Sequence, residues 1–166
     1  MPQAVPSPSF TIAPATPQDI PELVTMLRAL AEYEKLRDQC ISTESDFQRA
    51  LFGPEREAEA LIARVGDKAA GYALFCYNFS TFLARRGLWL EDLFVYPQYR
   101  GLGIGKAMLI RLARTAHELG YGRFEWAVLD WNTPAIEFYK AMGATVMDDW
   151  RIVRVTGDAL KQLAEQ

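Results

Sequence analysis

The stretch "YPQYRGLGIGKAMLIRL", residues 96–112, carries the clearest structural signal, because three glycines on alternate positions precede a helical pattern. Gly101, Gly103 and Gly105 lose conformational entropy in ordered backbone, so three in five residues require a reason. One reason is a plain glycine-rich entry to a helix. The other is a turn whose bare backbone approaches a ligand, because a helix N-terminus favours an anion such as phosphate.

Two common phosphate-binding loops do not fit this spacing. A P-loop has glycine five residues before its Gly-Lys pair and Ser or Thr after it, but Arg100 and Ala107 occupy those positions here. A dinucleotide-binding turn has the spacing G-x-G-x-x-G, whereas this chain has G-x-G-x-G after several predicted strands. Both classes of nucleotide site are therefore excluded.

Apolar periodicity predicts strands and helices that alternate along the chain. Strands are expected for "FTIAPAT", for two segments joined by a turn at Gly66-Asp67, and for "GLWLEDLFVYP", "RFEWAVL" and "WRIVRV". Helices are expected after Thr16, between Ser42-Thr43 and Gly53, from the glycines to about Leu119, and over "TPAIEFYKAMG" and "GDALKQLA". The fold class is therefore α/β (α+β), with one mixed sheet flanked by helices.

Composition limits the possible functions. The chain has 166 residues, half of them apolar, so we expect a flexible tail over residues 1–9 and a single domain over residues 10–166. A net charge of −3 argues against nucleic acid as a partner, and no apolar run suggests a membrane partner. One histidine and two cysteines without metal-ligand spacing predict no metal site and a reducing, cytoplasmic location.

The glycine turn also resembles a known motif. "RGLGIG" is similar to the Q/R-x-x-G-x-G/A turn of the GNAT superfamily of N-acetyltransferases, with Arg100, Gly103 and Gly105 at its fixed positions. "LEDLFVYPQYRGLGIG", "VLDWNTPAIEFYKAMGA" and "LAEYE" resemble the spermidine/spermine (diamine) acetyltransferase branch of that superfamily. The resemblance implies a splayed sheet, acetyl-CoA as co-substrate without a metal, a small amine as acceptor, and a homodimer.

The resemblance further implies where acetyl-CoA binds. The backbone of Leu93, Phe94 and Val95 would pair with the pantetheine arm like an added strand, although these residues also fit an ordinary core strand. The remaining implied contacts come from the glycine turn and from a later helix entry: Arg100, Gly101, Leu102, Gly103, Ile104, Gly105, Lys106, Asn132, Thr133, Pro134 and Ala135. Asn132 or Thr133 fits a simple helix cap equally well.

Two carboxylates interrupt the most apolar strand. Strict alternation places Glu91 with Trp89 and Leu93 on one face, and Asp92 with Leu90 and Phe94 on the other. Buried acids are costly without partners, so the pair indicates either a structural ion pair at an edge strand or a polar cleft. By resemblance, Glu91 contacts the acceptor amine and takes its proton through water, with Asp92 in the same acceptor site.

Three further side chains have alternative interpretations. Tyr139 lies at the edge of a helix's apolar face, which fits a core tyrosine; by resemblance it is the general acid that protonates the CoA thiolate. Tyr33 and Glu34 end the first helix, which fits a solvated helix end; by resemblance they line the acceptor site. Such carboxylates favour a diamine, a polyamine or a lysine-like amino acid.

Other residues leave the acceptor and the reaction open. Arg85 and Arg86 would pair with a substrate carboxylate if they reached the cleft, whereas Arg111 and Arg114 fit a solvated face. Two alternative functions remain: a protein-lysine or N-terminal acetyltransferase with an open groove, and a non-catalytic acyl-CoA-binding module. The second alternative would need neither Tyr139 nor Glu91.

Overall fold

The structure is a computed structural model that describes residues 9–166. The expected tail over residues 1–9 therefore lies, except for Ser9, outside the described residues. The chain divides into two compact units, one ending at Leu129 and the other beginning at Asp130. The expectation of a single domain over residues 10–166 stays a prediction.

A five-stranded sheet forms the centre of the first unit. Its strands are β1 (Phe10–Pro14), β2 (Glu59–Val65), β3 (Lys68–Ser80), β4 (Arg85–Val95) and β5 (Phe124–Trp126). The strands lie in chain order, antiparallel except for the parallel pair β4–β5. The predicted mixed sheet is confirmed, but β5 is shorter than the expected segment "RFEWAVL".

Three helices accompany this sheet: α1 (Ile20–Tyr33), α2 (Glu44–Phe52) and α3 (Ile104–Glu118). A short 3₁₀ turn, Pro17–Asp19, precedes α1, and Thr16 closes a capping box with Asp19. Thr43 caps α2 in the same way, and α3 forms the crossover between the parallel strands. The predicted boundaries at Thr16, Thr43, Gly53 and Leu119 are thus confirmed within a few residues.

The core on one face of the sheet is where α1 packs against β3 and β4, with α2 packed against α1. It joins residues from both helices to the three central strands, and Tyr72 is its largest member: Leu23, Met26, Leu30, Leu51, Ala60, Ile62, Tyr72, Leu74 and Phe94. Tyr72 is fully buried, with its ring centroid 6.4 Å from that of Phe94. Burying apolar side chains of this size provides the main stabilisation of the unit.

The second unit contains α4 (Thr133–Ala141) and α5 (Gly157–Ala164), both as predicted. The predicted strand "WRIVRV" is wrong, because residues 150–155 have no regular structure there. Its apolar side chains are exposed: Trp150 by 74%, Ile152 by 69% and Val153 by 89%. An alternating pattern forms a strand only when a neighbouring strand supplies hydrogen bonds, and within residues 9–166 no strand pairs with this segment.

Candidate active site

The glycine turn has the conformation that its composition predicts. Gly101 and Gly103 adopt left-handed backbone, with φ values of 80° and 84°, and no atom lies within 4 Å of a Cβ built on either residue. Gly103 is the N-cap of α3 and has no side chain to cap it. Gly105 lies inside the first helical turn rather than in the turn before it. The space over the turn is therefore open.

The first turn of α3 suits an anion such as the pyrophosphate of a CoA thioester. Its leading backbone N–H groups have no acceptor within the helix, and the helix dipole is positive there. Ile104 is only 1% exposed, so its side chain belongs to the core. Lys106 is exposed on the same turn. The open cradle and these donors fit a pyrophosphate.

Arg100 links the glycine turn to two other elements. Its Nε donates a hydrogen bond of 3.0 Å to the carbonyl of Val95, the last residue of β4. Its guanidinium carbon lies 5.3 Å from the ring centroid of Tyr33, at the end of α1, within cation–π distance. Arg100 thus orders the path from β4 into the turn and joins it to the end of α1.

One side of β4 is open next to the turn. On its β3 side the strand is paired along its length, and Leu93, Phe94 and Val95 oppose Ala73, Tyr72 and Gly71. On its β5 side, pairing within residues 9–166 reaches only Leu90. The backbone of residues 91–95 can therefore accept an extended ligand as an added strand. Phe94 is buried and contributes to the core through its side chain, so the core-strand interpretation is confirmed for this residue, and pantetheine binding stays a prediction.

A β-bulge in β4 sets the direction of the two carboxylates. Leu74 opposes Asp92 while the next residue, Phe75, opposes Leu90, which leaves Glu91 as the extra residue. Residues directly opposite one another share a face of the sheet, so Asp92 lies on the face of Leu74 and Leu90 lies on the other. The prediction from strict alternation is therefore wrong for Asp92 and Leu90, and also for Trp89 and Leu93, which oppose Cys76 and Ala73 on different faces.

Three carboxylates form one group, because the charges of Glu91 and of Glu34, at the end of α1, both act on Asp92. We refer to them as the acidic cluster. Tyr72 donates its hydroxyl to Asp92 Oδ2 at 3.1 Å, and the indole Nε1 of Trp89 donates to Glu91 Oε2 at 2.7 Å. Among the ion pairs of residues 9–166, none includes a member of the cluster.

The pKa directions follow from burial and from like charges. Burial raises the pKa of Asp92 to about 6; the Tyr72 hydrogen bond opposes this shift, and Glu91 and Glu34 add to it. Burial also raises the pKa of Glu34. Burial, followed by the charge and hydrogen bond of Asp92, raises the pKa of Tyr72 well above its ordinary value. The structure therefore brings together the predicted acceptor residues Glu34, Glu91 and Asp92.

Sequence reasoning missed the two neutral donors of this cluster, Tyr72 and Trp89. Both lie on strands whose apolar pattern explains them as core or sheet residues, and the bulge that brings their partners together leaves no mark in the periodicity. The pairing of adjacent acids inside an apolar strand was the available signal. It pointed to a polar site, but not to the hydroxyl that serves it.

Four arginines were considered from the sequence, and the structure contradicts the predicted position of one of them, Arg111. Arg111 is not on a solvated face, because it donates a 2.6 Å hydrogen bond to the carbonyl of Ile12 in β1; Arg114 is exposed as predicted. Arg86 opposes Phe79 and stacks over the ring of Tyr77, on the face opposite Asp92. Arg85 is six residues from Glu91, about 20 Å along the strand. Neither Arg85 nor Arg86 belongs to the acidic cluster.

In the second unit, Asn132 is the N-cap of α4, and its Oδ1 accepts from the Ala135 backbone N–H at 3.4 Å. The helix-cap interpretation is thus confirmed for Asn132, which is 9% exposed. Thr133 and Pro134 are exposed in the first turn. Tyr139 is half-buried, with its ring centroid 5.4 Å from that of Phe138.

No group of three or more His, Cys, Asp or Glu side chains in residues 9–166 could hold a metal ion. No helix within the described residues has the length and apolar character needed to cross a bilayer.

Known proteins with similar sequences agree with the site geometry described above. The profile of the acetyltransferase (GNAT) family matches residues 25–144. The chain is 33% identical to an L-ornithine N5-acetyltransferase from Arabidopsis thaliana, over 90% of this chain and 85% of that protein. It is 36% identical to a thialysine N-epsilon-acetyltransferase from Sus scrofa, over 94% of this chain and 98% of that protein.

A solved structure agrees in fold. An integron cassette protein from the mobile metagenome of V. cholerae superposes with a TM-score of 0.80 and 26% identity, covering 95% of this chain and 99% of that one. The family match spans most of the chain, including the glycine turn and the acidic cluster. This protein is therefore an enzyme of the GNAT family of acetyltransferases.

Proposed function

We propose that this enzyme moves acetyl from acetyl-CoA to a primary amine of a small acceptor that carries two amino groups. The acceptor class comprises diamines, polyamines and lysine-like amino acids. The observation that carries the proposal is the acidic cluster, in which three carboxylates lie close together and none has a partner among the ion pairs of residues 9–166. Uncompensated negative charge at a partly buried site favours a cationic ligand.

The relatives support the same class. Their names describe acetylation of ornithine at N5 and of thialysine at N-epsilon, and both of these acceptors are amino acids with a second amino group on the side chain. Arg85 and Arg86 lie outside the acidic cluster, so they give no reason to prefer an acceptor that carries a carboxylate. Diamines and lysine-like amino acids thus both remain within the proposal.

The acidic cluster has two tasks in this proposal. An alkyl amine has a pKa near 10.4, so it arrives as an ammonium ion and must lose a proton before it attacks. Glu91 is the exposed member, held at 2.7 Å by Trp89, and it accepts that proton through water. Asp92 and Glu34 are less exposed and hold the second, distal ammonium group.

The co-substrate site uses the open cradle and the open side of β4. Backbone N–H groups at the start of α3, with Lys106, hold the pyrophosphate, and residues 93–95 hold the pantetheine arm. When bound, acetyl-CoA supplies an acetyl thioester as the acyl donor. Tyr139 donates the proton that the departing thiolate needs, a role that rests on the resemblance of its helix to that of related enzymes. Asn132, Thr133, Pro134 and Ala135 add contacts to the same arm.

We also propose that the protein is a cytoplasmic homodimer. The exposed apolar side chains of the second unit support a partner subunit, since Trp150, Ile152 and Val153 would otherwise remain in water. Cys40 and Cys76 are both free thiols, which fits a reducing compartment.

The test is an acceptor panel with acetyl-CoA, in which release of free thiol is followed. We expect turnover with small diamines, spermidine and lysine analogues, and little with a lysine-containing peptide or a protein N-terminus. Turnover confined to peptides would replace the proposal with a protein acetyltransferase. Tight acetyl-CoA binding without turnover on any amine would favour the non-catalytic module.

A further inference from the structure

The Tyr72 hydroxyl has a position that apolar packing does not explain. The residue is fully buried within the α1–α2 face of the core, among leucines, Met26 and Phe94. A phenylalanine would fill nearly the same volume without placing a polar atom there. A buried hydroxyl is costly unless it makes a hydrogen bond. That bond goes to Asp92 Oδ2 at 3.1 Å.

We propose that Tyr72 is a positioning residue: its buried hydroxyl donates to Asp92 Oδ2 and so holds this carboxylate, in its ionised form, toward the second ammonium group of the acceptor. The inference rests on the proposed function, because that function supplies the ammonium group. It adds a residue in the middle of β3 to a site formed by β4 and α1. Tyr72 acts through Asp92 and has no contact with the reacting atoms.

The surroundings of Asp92 explain why such a donor is needed. Glu91 from the same strand and Glu34 from α1 both face it with negative charge. From β3, Tyr72 offers the donor, and Cys40, after the short helix Arg37–Gln39, faces Tyr72 in turn. Burial and like charges both favour the neutral acid, while a donor to the carboxylate favours the ionised form.

The consequence for binding has a definite sign. With the hydroxyl present, burial leaves the pKa of Asp92 at about 6, so the group is mostly ionised at pH 7. Without the hydroxyl, the pKa of Asp92 rises further, and a larger fraction of Asp92 is protonated at neutral pH. A neutral Asp92 attracts an ammonium group weakly. The loss of acceptor affinity caused by removing the hydroxyl is therefore greatest at low pH, and the affinity recovers as pH rises.

The test compares Tyr72→Phe with Tyr77→Phe. Tyr77 lies on the same strand and donates to a carboxylate outside the cluster, Glu59, at 2.7 Å. We expect Tyr72→Phe to raise the KM of a diamine about twofold at pH 7 and about tenfold at pH 5, with little change at pH 9. For Tyr72→Phe, we expect the KM of a monoamine of equal chain length and the kcat to stay close to wild type. For Tyr77→Phe, we expect every kinetic constant to stay close to wild type.

Two further readouts exclude a merely structural effect. In an Asp92→Asn background, Tyr72→Phe adds no further rise in KM, because the carboxylate on which it acts is gone. Carbon NMR of labelled aspartate follows the Asp92 carboxyl directly in the free enzyme, and we expect its pKa to be about one unit higher in Tyr72→Phe. This titration needs no substrate.

The possible results distinguish the role of Tyr72 from the proposed function on which that role rests. An unchanged Asp92 titration overturns the role of Tyr72, whatever the acceptor is. An equal rise in KM for monoamine and diamine, or the same rise in the Asp92→Asn background, overturns it as well. A shifted titration with unchanged diamine kinetics keeps the link from Tyr72 to Asp92 and overturns the proposed acceptor site.

Discussion

Asp92 is a residue whose ionised form lowers the stability of the folded enzyme. Its pKa is raised by burial to about 6 from an ordinary value of 3.8, so the folded state binds this proton more tightly than the unfolded chain does. Between about pH 4 and pH 6 the folded state therefore holds more protons, and its stability falls as pH rises. The shift of about two units corresponds to roughly 3 kcal/mol at neutral pH.

This gives a prediction for Asp92→Asn, whose amide oxygen can still accept from Tyr72. We expect the variant to gain on the order of 2 kcal/mol relative to wild type between pH 4 and pH 7, because it removes the buried charge. Urea unfolding of both proteins at the two pH values measures the difference. A stability difference that does not vary with pH would show that Asp92 titrates normally.

Tyr139 carries the prediction about proton donation. Tyr139→Phe keeps the half-buried ring and removes the hydroxyl, so we expect kcat to fall by about 10²–10⁴-fold with nearly unchanged affinity for acetyl-CoA. Steady-state kinetics and calorimetric titration measure the two quantities. Tyr121→Phe, whose ring packs edge-on against Tyr77 in the first unit, is the control. A normal kcat would make Tyr139 a packing residue.

At the scale of the element, the start of α3 is the part that the sequence describes best. Glycine spacing, the missing side-chain cap and the strand before it all indicate an anion site, and the structure adds the left-handed values at Gly101 and Gly103. The bulge in β4 is the opposite case. It comes from strand pairing across the sheet, which a linear pattern does not contain, so alternation assigned Asp92 and Leu90 to the same face.

The two ends of α3 provide a matched pair of variants. Gly103 and Gly120 both have positive φ, and a Cβ on either meets no atom within 4 Å. Gly103→Glu and Gly120→Glu should each lose about 1–2 kcal/mol of stability through left-handed strain. Only Gly103→Glu should weaken acetyl-CoA binding, by about tenfold or more, since it places charge and bulk in the cradle.

Calorimetric titration of both folded variants with acetyl-CoA makes the comparison. The cradle assignment predicts near wild-type affinity for Gly120→Glu, at the far end of the helix. Equal affinities for the two variants would mean that the phosphates bind elsewhere.

At the scale of the whole molecule, the order of elements and the mixed sheet were predictable, because each helix and most strands have their own caps, turns and periodicity. The predicted strand "WRIVRV" is wrong for the same kind of physical reason that hid the bulge, because both depend on pairing between strands. A strand depends on a partner as well as on its own alternation, and no strand in the described part of the chain pairs with residues 150–155. The acidic cluster was predictable as a set of residues, but its hydroxyl donor was not.

A site for a second positive charge is tested most directly by kcat/KM for a diamine and a monoamine of the same chain length. We predict that wild type prefers the diamine by about tenfold or more, and that Glu34→Gln loses most of this preference while Glu32→Gln, on the same helix, keeps it. Equal kcat/KM values for the two amines in the wild-type enzyme would contradict the account.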